Sequence, residues 1–127
     1  MDEIYDIVIV GGGPAGYSAA IYAARFNLKA LVIAKLRGGL ITTTHIVENY
    51  PGYISLSGPE LGEKFEEHVR HNDVPIDDDF VSEIKKVGNY FTVKTDFKKN
   101  EYKAKSIVLA TGTMHKHLAV PGEKEFM

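Results

Sequence analysis

The run Asp6-Ile-Val-Ile-Val10 meets the stretch Gly11-Gly-Gly-Pro-Ala-Gly16, and this junction constrains the fold more than any other feature of the chain. Residues 7–10 are all β-branched and apolar, as suits a parallel strand buried on both faces. Glycines at the first, third and sixth positions of the turn have separate uses. Gly11 permits the sharp bend, Gly13 lets phosphates approach the backbone, and Gly16 lets helix and strand pack closely. The first N–H groups of a helix have no carbonyl partner within it, and the helix dipole favours an anion there. Pro14 suits the first helical turn, where its missing N–H costs little. Residues 17–26 contain no helix breaker and carry Ala19, Ala20, Ala23 and Ala24, small enough to lie close to a sheet. Ala30-Leu-Val-Ile33 reads as a second buried strand. Strand, turn, helix and strand fit within about 30 residues, the size of one βαβ unit. The pattern predicts a site for the pyrophosphate of a dinucleotide.

The remaining chain divides by period. Residues 35–58 read as a long loop, rich in Gly, Thr, Asn and Pro, that also carries Ile41, Ile46, Val47, Tyr50, Tyr53 and Ile54. A loop of that length is either functional or disordered, and its apolar content argues for order. Ser57-Gly-Pro-Glu60 has the form of a helix start, with Ser57 as cap and Glu60 three residues on. The helix is expected to bury Leu61, Phe65 and Val69, to turn Glu63, Lys64, Glu66 and Glu67 to water, and to end at Asn72-Asp-Val-Pro75. From residue 80 the period becomes two, and 80–87, 90–97 and 101–110 read as three strands of an antiparallel meander. The last of them runs into Ala110-Thr-Gly112, which brings a bare backbone close to a neighbour.

Composition narrows the function classes. With 127 residues the chain can build one domain with a real core. A net charge of -2 gives no surface for nucleic acid, and there is no cysteine, hence no disulfide framework and no thiolate metal site. No apolar run approaches the roughly 20 residues that span a bilayer, so no membrane association is expected. The N-terminus is acidic and does not have the form of a signal peptide, which points to a cytoplasmic protein. No Ser/His/Asp nucleophile arrangement is readable, and no residue stands out as catalytic. His115 and His117 read as surface histidines and no metal site is expected, since zinc needs three or four ligands. Asp77-Asp-Asp79 reads as a solvated turn and Lys98-Lys99 as a charged hairpin tip. Tyr50 and Tyr53 suit either stacking near a cofactor or packing of their own loop.

Several segments together carry a resemblance. They are Gly11–Arg25 as a block, Gly38-Gly39 with Thr42-Thr-Thr44, Val47-Glu-Asn-Tyr-Pro-Gly52, Gly58-Pro-Glu-Leu61, Ala110-Thr-Gly112 and Val120-Pro-Gly-Glu123. On these the chain resembles the FAD-binding half of the two-dinucleotide-binding-domain flavoproteins, and among them the low-molecular-weight thioredoxin reductases. The Val-Glu-Asn-aromatic-Pro-Gly segment is the specific one. The resemblance implies an α/β fold: a Rossmann-like FAD-binding domain, its parallel sheet covered by helices on one side and by a three-stranded antiparallel meander on the other. Residues 1–117 would form this domain, incomplete relative to the family. Residues 118–127 would begin the connection to an NAD(P)H-binding domain not present in the chain.

The resemblance also implies a ligand and roles. FAD would lie with its pyrophosphate on Gly11, Gly13, Pro14, Ala15 and Gly16. Gly38, Gly39, Leu40 and Thr44 would line the cofactor, and Asn49 would meet the flavin ring through its amide. Val81 would offer backbone groups to the adenine, while Ala110, Thr111 and Gly112 would close over the dinucleotide. The complete enzyme would pass electrons from NAD(P)H through flavin to a disulfide, with a thioredoxin-like protein as partner and a homodimer as its state. Two departures stand out. No carboxylate ends the second strand for the ribose; Ala34, Lys35 and Leu36 are there, and Lys35 with Arg37 suits a 2′-phosphate instead. Leu40 stands where the family commonly has Gln. A stand-alone nucleotide-binding module for FAD or NADP, and a portion of a ferredoxin/flavodoxin-NADP reductase-like flavoenzyme, are the alternatives.

Overall fold

The computed structural model describes residues 3–125. Met1 and Asp2 of the acidic N-terminus, and Phe126 and Met127 of the expected connection, lie outside the described residues. Six strands form one mixed sheet: β1 (Ile4–Val10), β2 (Ala30–Ile33), β3 (Ile76–Asp77), β4 (Val81–Val87), β5 (Tyr90–Thr95) and β6 (Glu101–Leu109). Their order across the sheet is β3-β2-β1-β6-β5-β4. β1 pairs in parallel with β2 and β6, and β2 pairs in parallel with β3. β4, β5 and β6 run antiparallel as the meander. β6 serves both halves: residues 101–104 pair with 91–94, and 103–109 pair with the parallel strand β1.

The strand period of two sorts β1 and β2 between two cores. Ile9, Ala30 and Val32 face the helices, among Tyr17, Ala20, Ala23, Val69 and Val74. Val8, Val10, Leu31 and Ile33 face the other way, against Val93 and Ala104 of the meander. Helices therefore cover one side of the parallel strands and the meander the other, as the resemblance implies. Burial on both faces is also why β1 and β2 carry unbroken apolar runs rather than alternation.

Two helices lie on the helical side. α1 (Pro14–Arg25) buries Gly16, Tyr17, Ala20 and Ala23. α2 (Gly58–His71) opens with a complete capping box: Glu60 N–H donates to Ser57 Oγ at 3.2 Å, and Ser57 N–H donates to Glu60 Oε2 at 2.7 Å. Helices this short are marginal alone, so their packing decides. Leu61 and Val69 are fully buried, each worth about 1.5–3 kcal/mol. Glu66 departs from the expected solvent face. It is largely covered and takes Arg37 at 3.1 Å and Arg70 at 2.9 Å.

The long loop is more structured than its composition predicts. It holds a 3-10 helix, Gly39–Thr43, and a paired bridge in which Val47 and Leu56 exchange N–H···O bonds of 2.7 and 3.1 Å. Tyr50 meets Phe65 of α2 edge-on at 5.4 Å and lies 6.4 Å from Tyr53, so these rings pack the loop onto its own domain. β3 escapes the sequence pattern because two residues carry no period.

The three aspartates are a correction: only Asp78 is exposed as a solvated turn requires. Asp77 accepts from Tyr102 Oη at 2.6 Å and Asn100 Nδ2 at 3.3 Å, and it pairs with Lys98. Asp79 is 1 % exposed and accepts the N–H groups of Phe80, Phe97 and Lys98 at 2.7, 2.9 and 2.9 Å. Burial opposes its ionisation, but these N–H groups and the Thr95 hydroxyl outweigh it and hold the carboxyl well below the usual range. The lysine tip is likewise tied down, Lys98 by Asp77 and Lys99 by Asp96 at 3.1 Å. A carboxyl depressed in the folded state stabilises the fold above its unfolded pKa of about 3.9, and loses that contribution as the pH falls through the folded value. Asp79→Ala is therefore expected to lower the melting temperature at pH 7. In thermal melts its deficit against the parent should shrink progressively below about pH 4.

Candidate nucleotide-binding site

The C-terminal ends of β1, β2 and β6 converge on the glycine turn. Gly11 N–H donates to Ile33 O at 2.9 Å, and Ala110 N–H donates to Val10 O at 2.8 Å. Gly11 has φ +116°, and a Cβ on it would stand 2.0 Å from Ala110 O. Both facts demand glycine. Gly16 presses equally hard from the helix, since its Cβ would lie 1.9 Å from Gly11 O. Strand, turn and helix are thus locked backbone to backbone, and Thr111 is drawn in beside Gly11.

The N-terminus of α1 is left open. Gly13 is its N-cap, no side chain caps it, and no acid stands in its first turn. A Cβ on Gly13 would meet only Gly39 Cα, at 3.6 Å. α2 shows the contrast, for Ser57 and Glu60 satisfy its first N–H groups internally. An uncapped helix end without carboxylate competition, reached by a bare backbone, fits an anionic phosphate group.

A second glycine pair meets the first. Gly38 and Gly39 have φ of +82° and +69°, and Gly38 N–H donates to Gly12 O at 2.8 Å. Thr42 and Thr43 hydroxyls close the 3-10 helix onto Gly39 O and Leu40 O at 2.8 and 2.7 Å. α2 grips the far side of this segment: Gly58 N–H donates to Thr44 O at 2.9 Å, and a Cβ on Gly58 would lie 1.9 Å from Ile41 O. Gly58, read from sequence only as part of a helix start, and Gly62, which the sequence did not single out, are close-approach residues. A glycine beside a helix-starting proline was the available signal.

The other candidate residues are distributed around this centre. Leu40 is exposed within the 3-10 helix, and Thr44 ends it. Asn49 is exposed in the bridged loop. Val81 opens β4 opposite Thr95, and Gly112, with φ +67°, has open space around it. Lys35 is exposed after β2, its ammonium 5.6 Å from the rings of Phe80 and Phe97. Arg37 does not share its situation. Asp78 binds its guanidinium at 2.9 and 3.0 Å, Glu66 binds it at 3.1 Å, and Asp78 raises its pKa further. Tyr17 lies beneath Gly12, fully buried, and burial pushes its phenol up to about 12. Among the described residues no group of three His, Cys, Asp or Glu could hold a metal ion, and no helix is long and apolar enough to cross a membrane.

An α/β sheet with a glycine turn and an open helix end at its strand termini defines a dinucleotide-binding class of fold. Comparison with known proteins agrees. The family model for pyridine nucleotide-disulphide oxidoreductase matches residues 5–127, and the chain belongs to that family. Among relatives, the thioredoxin reductase of Bacillus subtilis is 42% identical over 125 residues, covering 98% of this chain and 39% of the relative. The structure of Lactococcus lactis thioredoxin reductase matches with a TM-score of 0.88 at 41% identity, over 96% of this chain and 40% of that one. A ferredoxin-flavin thioredoxin reductase from Clostridium acetobutylicum matches with a TM-score of 0.79 at 33% identity, over 100% of this chain and 44% of that one. The protein is thus thioredoxin-reductase-like, and the chain spans about two fifths of the length of these relatives.

The contacts at Gly16 set two effects against each other. Helix propensity alone predicts that Gly16→Ala gains about 1 kcal/mol. The backbone contact predicts a loss of about 2 kcal/mol or more through overpacking. The loss is expected to prevail in urea unfolding, because the obstructing atom is a carbonyl oxygen and not a side chain that can turn away.

Proposed function

We propose that this chain is the FAD-binding portion of a thioredoxin-reductase-like oxidoreductase. The observation that carries the reading is the open, uncapped N-terminus of α1 at Gly13, faced by the Gly38-Gly39 backbone. The first-turn amides of Ala15 and Gly16 would hold the pyrophosphate, with Gly11 and Pro14 shaping the approach. Gly38, Gly39, Leu40 and Thr44 would line the dinucleotide. Asn49 would offer its amide to the flavin ring; the amide is both donor and acceptor, which suits the mixed nitrogen and oxygen edge of a flavin. Val81 would meet the adenine through its backbone, and Ala110, Thr111 and Gly112 would close over the cofactor.

Bound FAD would supply hydride acceptance and onward electron transfer. The residues of this chain bind and orient it, and none is a convincing acid, base or nucleophile. In the whole protein the hydride would come from NAD(P)H at another domain, and a thioredoxin-like protein would take the electrons. The chain has no cysteine, so the dithiol step needs cysteines from outside it. A second reading has ferredoxin as the electron source, favoured by the match to the ferredoxin-flavin relative.

Gly13→Ala separates ligand binding from folding. Its φ of -86° and ψ of -173° are open to alanine, and the added methyl would have room in the free protein. Stability should change by less than about 1 kcal/mol. FAD affinity, followed by the visible flavin band on titration, should fall at least about tenfold, because the methyl occupies the phosphate approach. Unchanged FAD affinity, or no flavin binding by the parent, contradicts the reading.

A further inference from the structure

A groove runs between α1 and α2 and is walled on one side by the bridged loop. Its volume is about 540 Å³, within the roughly 300–1,000 Å³ usual for small-molecule sites. Of the residues that read as the dinucleotide site, only Pro14 lines it. The walls come from three separate elements: α1 supplies Tyr22, α2 supplies Lys64, Phe65 and His68, and the loop supplies Tyr50 and Tyr53. Lys64 and His68 stand one helical turn apart and so share a face of α2 beside Phe65. Tyr50 meets Phe65 edge-on at 5.4 Å, and Tyr53 lies 6.4 Å from Tyr50. The Val47–Leu56 bridge ties the two ends of this loop together. The aromatic wall is therefore formed before any ligand arrives, which lowers the cost of binding one.

Two properties of the lining go together. The first is open aromatic surface. Tyr22 is 64% exposed, and Tyr50 and Tyr53 remain 42% and 40% exposed despite their mutual contact. Such rings accept a further ring by stacking or edge contact. The second is a set of uncommitted donors. Among the described residues, the hydroxyls of Tyr22, Tyr50 and Tyr53 and the His68 imidazole have no hydrogen-bond partner. Lys64 has only Glu67, at 3.4 Å, in an exposed pair of a kind that contributes little. Among the described residues that line the groove, none is Asp or Glu. An ammonium and several hydroxyl donors beside an aromatic wall, with no competing carboxylate in the lining, suit an acceptor-only anion carried on a ring.

We propose that this groove is a second ligand site, for a planar aromatic carboxylate whose ring lies against Tyr22, Tyr50 and Tyr53 and whose anion meets Lys64 and His68. The site adjoins the nucleotide site at Pro14 and does not depend on which nucleotide is bound there.

The test uses the full chain and two-dimensional NMR, with 2-naphthoate and its neutral analogue 2-naphthalenemethanol as probes. Saturable shifts are expected in α1, α2 and the Tyr50–Tyr53 turn. Naphthoate is expected to bind about tenfold more tightly than the alcohol, the size of one charge-assisted hydrogen bond, and Lys64→Met should remove most of that advantage. Tyr22→Ala removes an exposed ring, so the melting temperature should stay as it is. It should weaken both probes alike, by about threefold or more, a loss that a ring without ligand contact would not give. Absence of saturable shifts, shifts centred on Gly11–Gly13, equal affinity for the two probes, or affinities unmoved by Tyr22→Ala overturns the proposal. Competition separates the other occupants. Naphthoate should still bind when the chain is saturated with FAD, and displacement by FAD would make the groove part of the flavin's own site and overturn the proposal. Sedimentation should show no change of association state on adding naphthoate. A dimer that the probe dissociates would assign the groove to a second copy of this chain and overturn it equally.

Discussion

Contact between bare backbones at the strand ends is the constraint on which the rest of this structure depends. Gly16 lies on Gly11 O, Gly11 on Ala110 O, Gly39 on Gly13, and Gly58 on Ile41 O. At Gly11, Gly16, Gly39 and Gly58 a methyl group would stand less than 3 Å from backbone. The helix, the two loops and the last strand are drawn to one point because nothing but hydrogen projects between them. An anion-seeking helix end results at that point, and it remains open because the residues that shape it carry no capping side chain.

A second fastening operates beside Lys35 and uses charge where the first uses space. Asp79 is buried and ionised, and it accepts a backbone N–H from its own β3–β4 connection and two from the β5–β6 turn. Burial alone would penalise this carboxylate, but the donors around it reverse the balance. The same bonds space Phe80 and Phe97, so a structural anchor also shapes the setting of Lys35.

Much of the fold was legible in the sequence because its signals are local. The β-branched run before Gly11, the capping box at Ser57 and Glu60, and the change to period two after residue 80 each act within a few residues. The misreadings share one cause. Asp79 passed for a solvated turn residue, Glu66 for a surface charge, and Lys35 and Arg37 for equivalent cations. Their partners stand far away in the chain: Phe97 for Asp79, Arg37 for Glu66, Asp78 for Arg37. No window of sequence contains both members.

The sequence by itself determined the strand, glycine turn and helix, and hence a dinucleotide class of site, because backbone freedom and β-branching are properties of the residues where they stand. Only the tertiary structure decided which charges are taken up by carboxylates and which are not. Arg37 is consumed by two carboxylates while Lys35, two residues earlier, is left on aromatic rings. The physical reason is that a charge is available only relative to its neighbours, and folding alone chooses those neighbours.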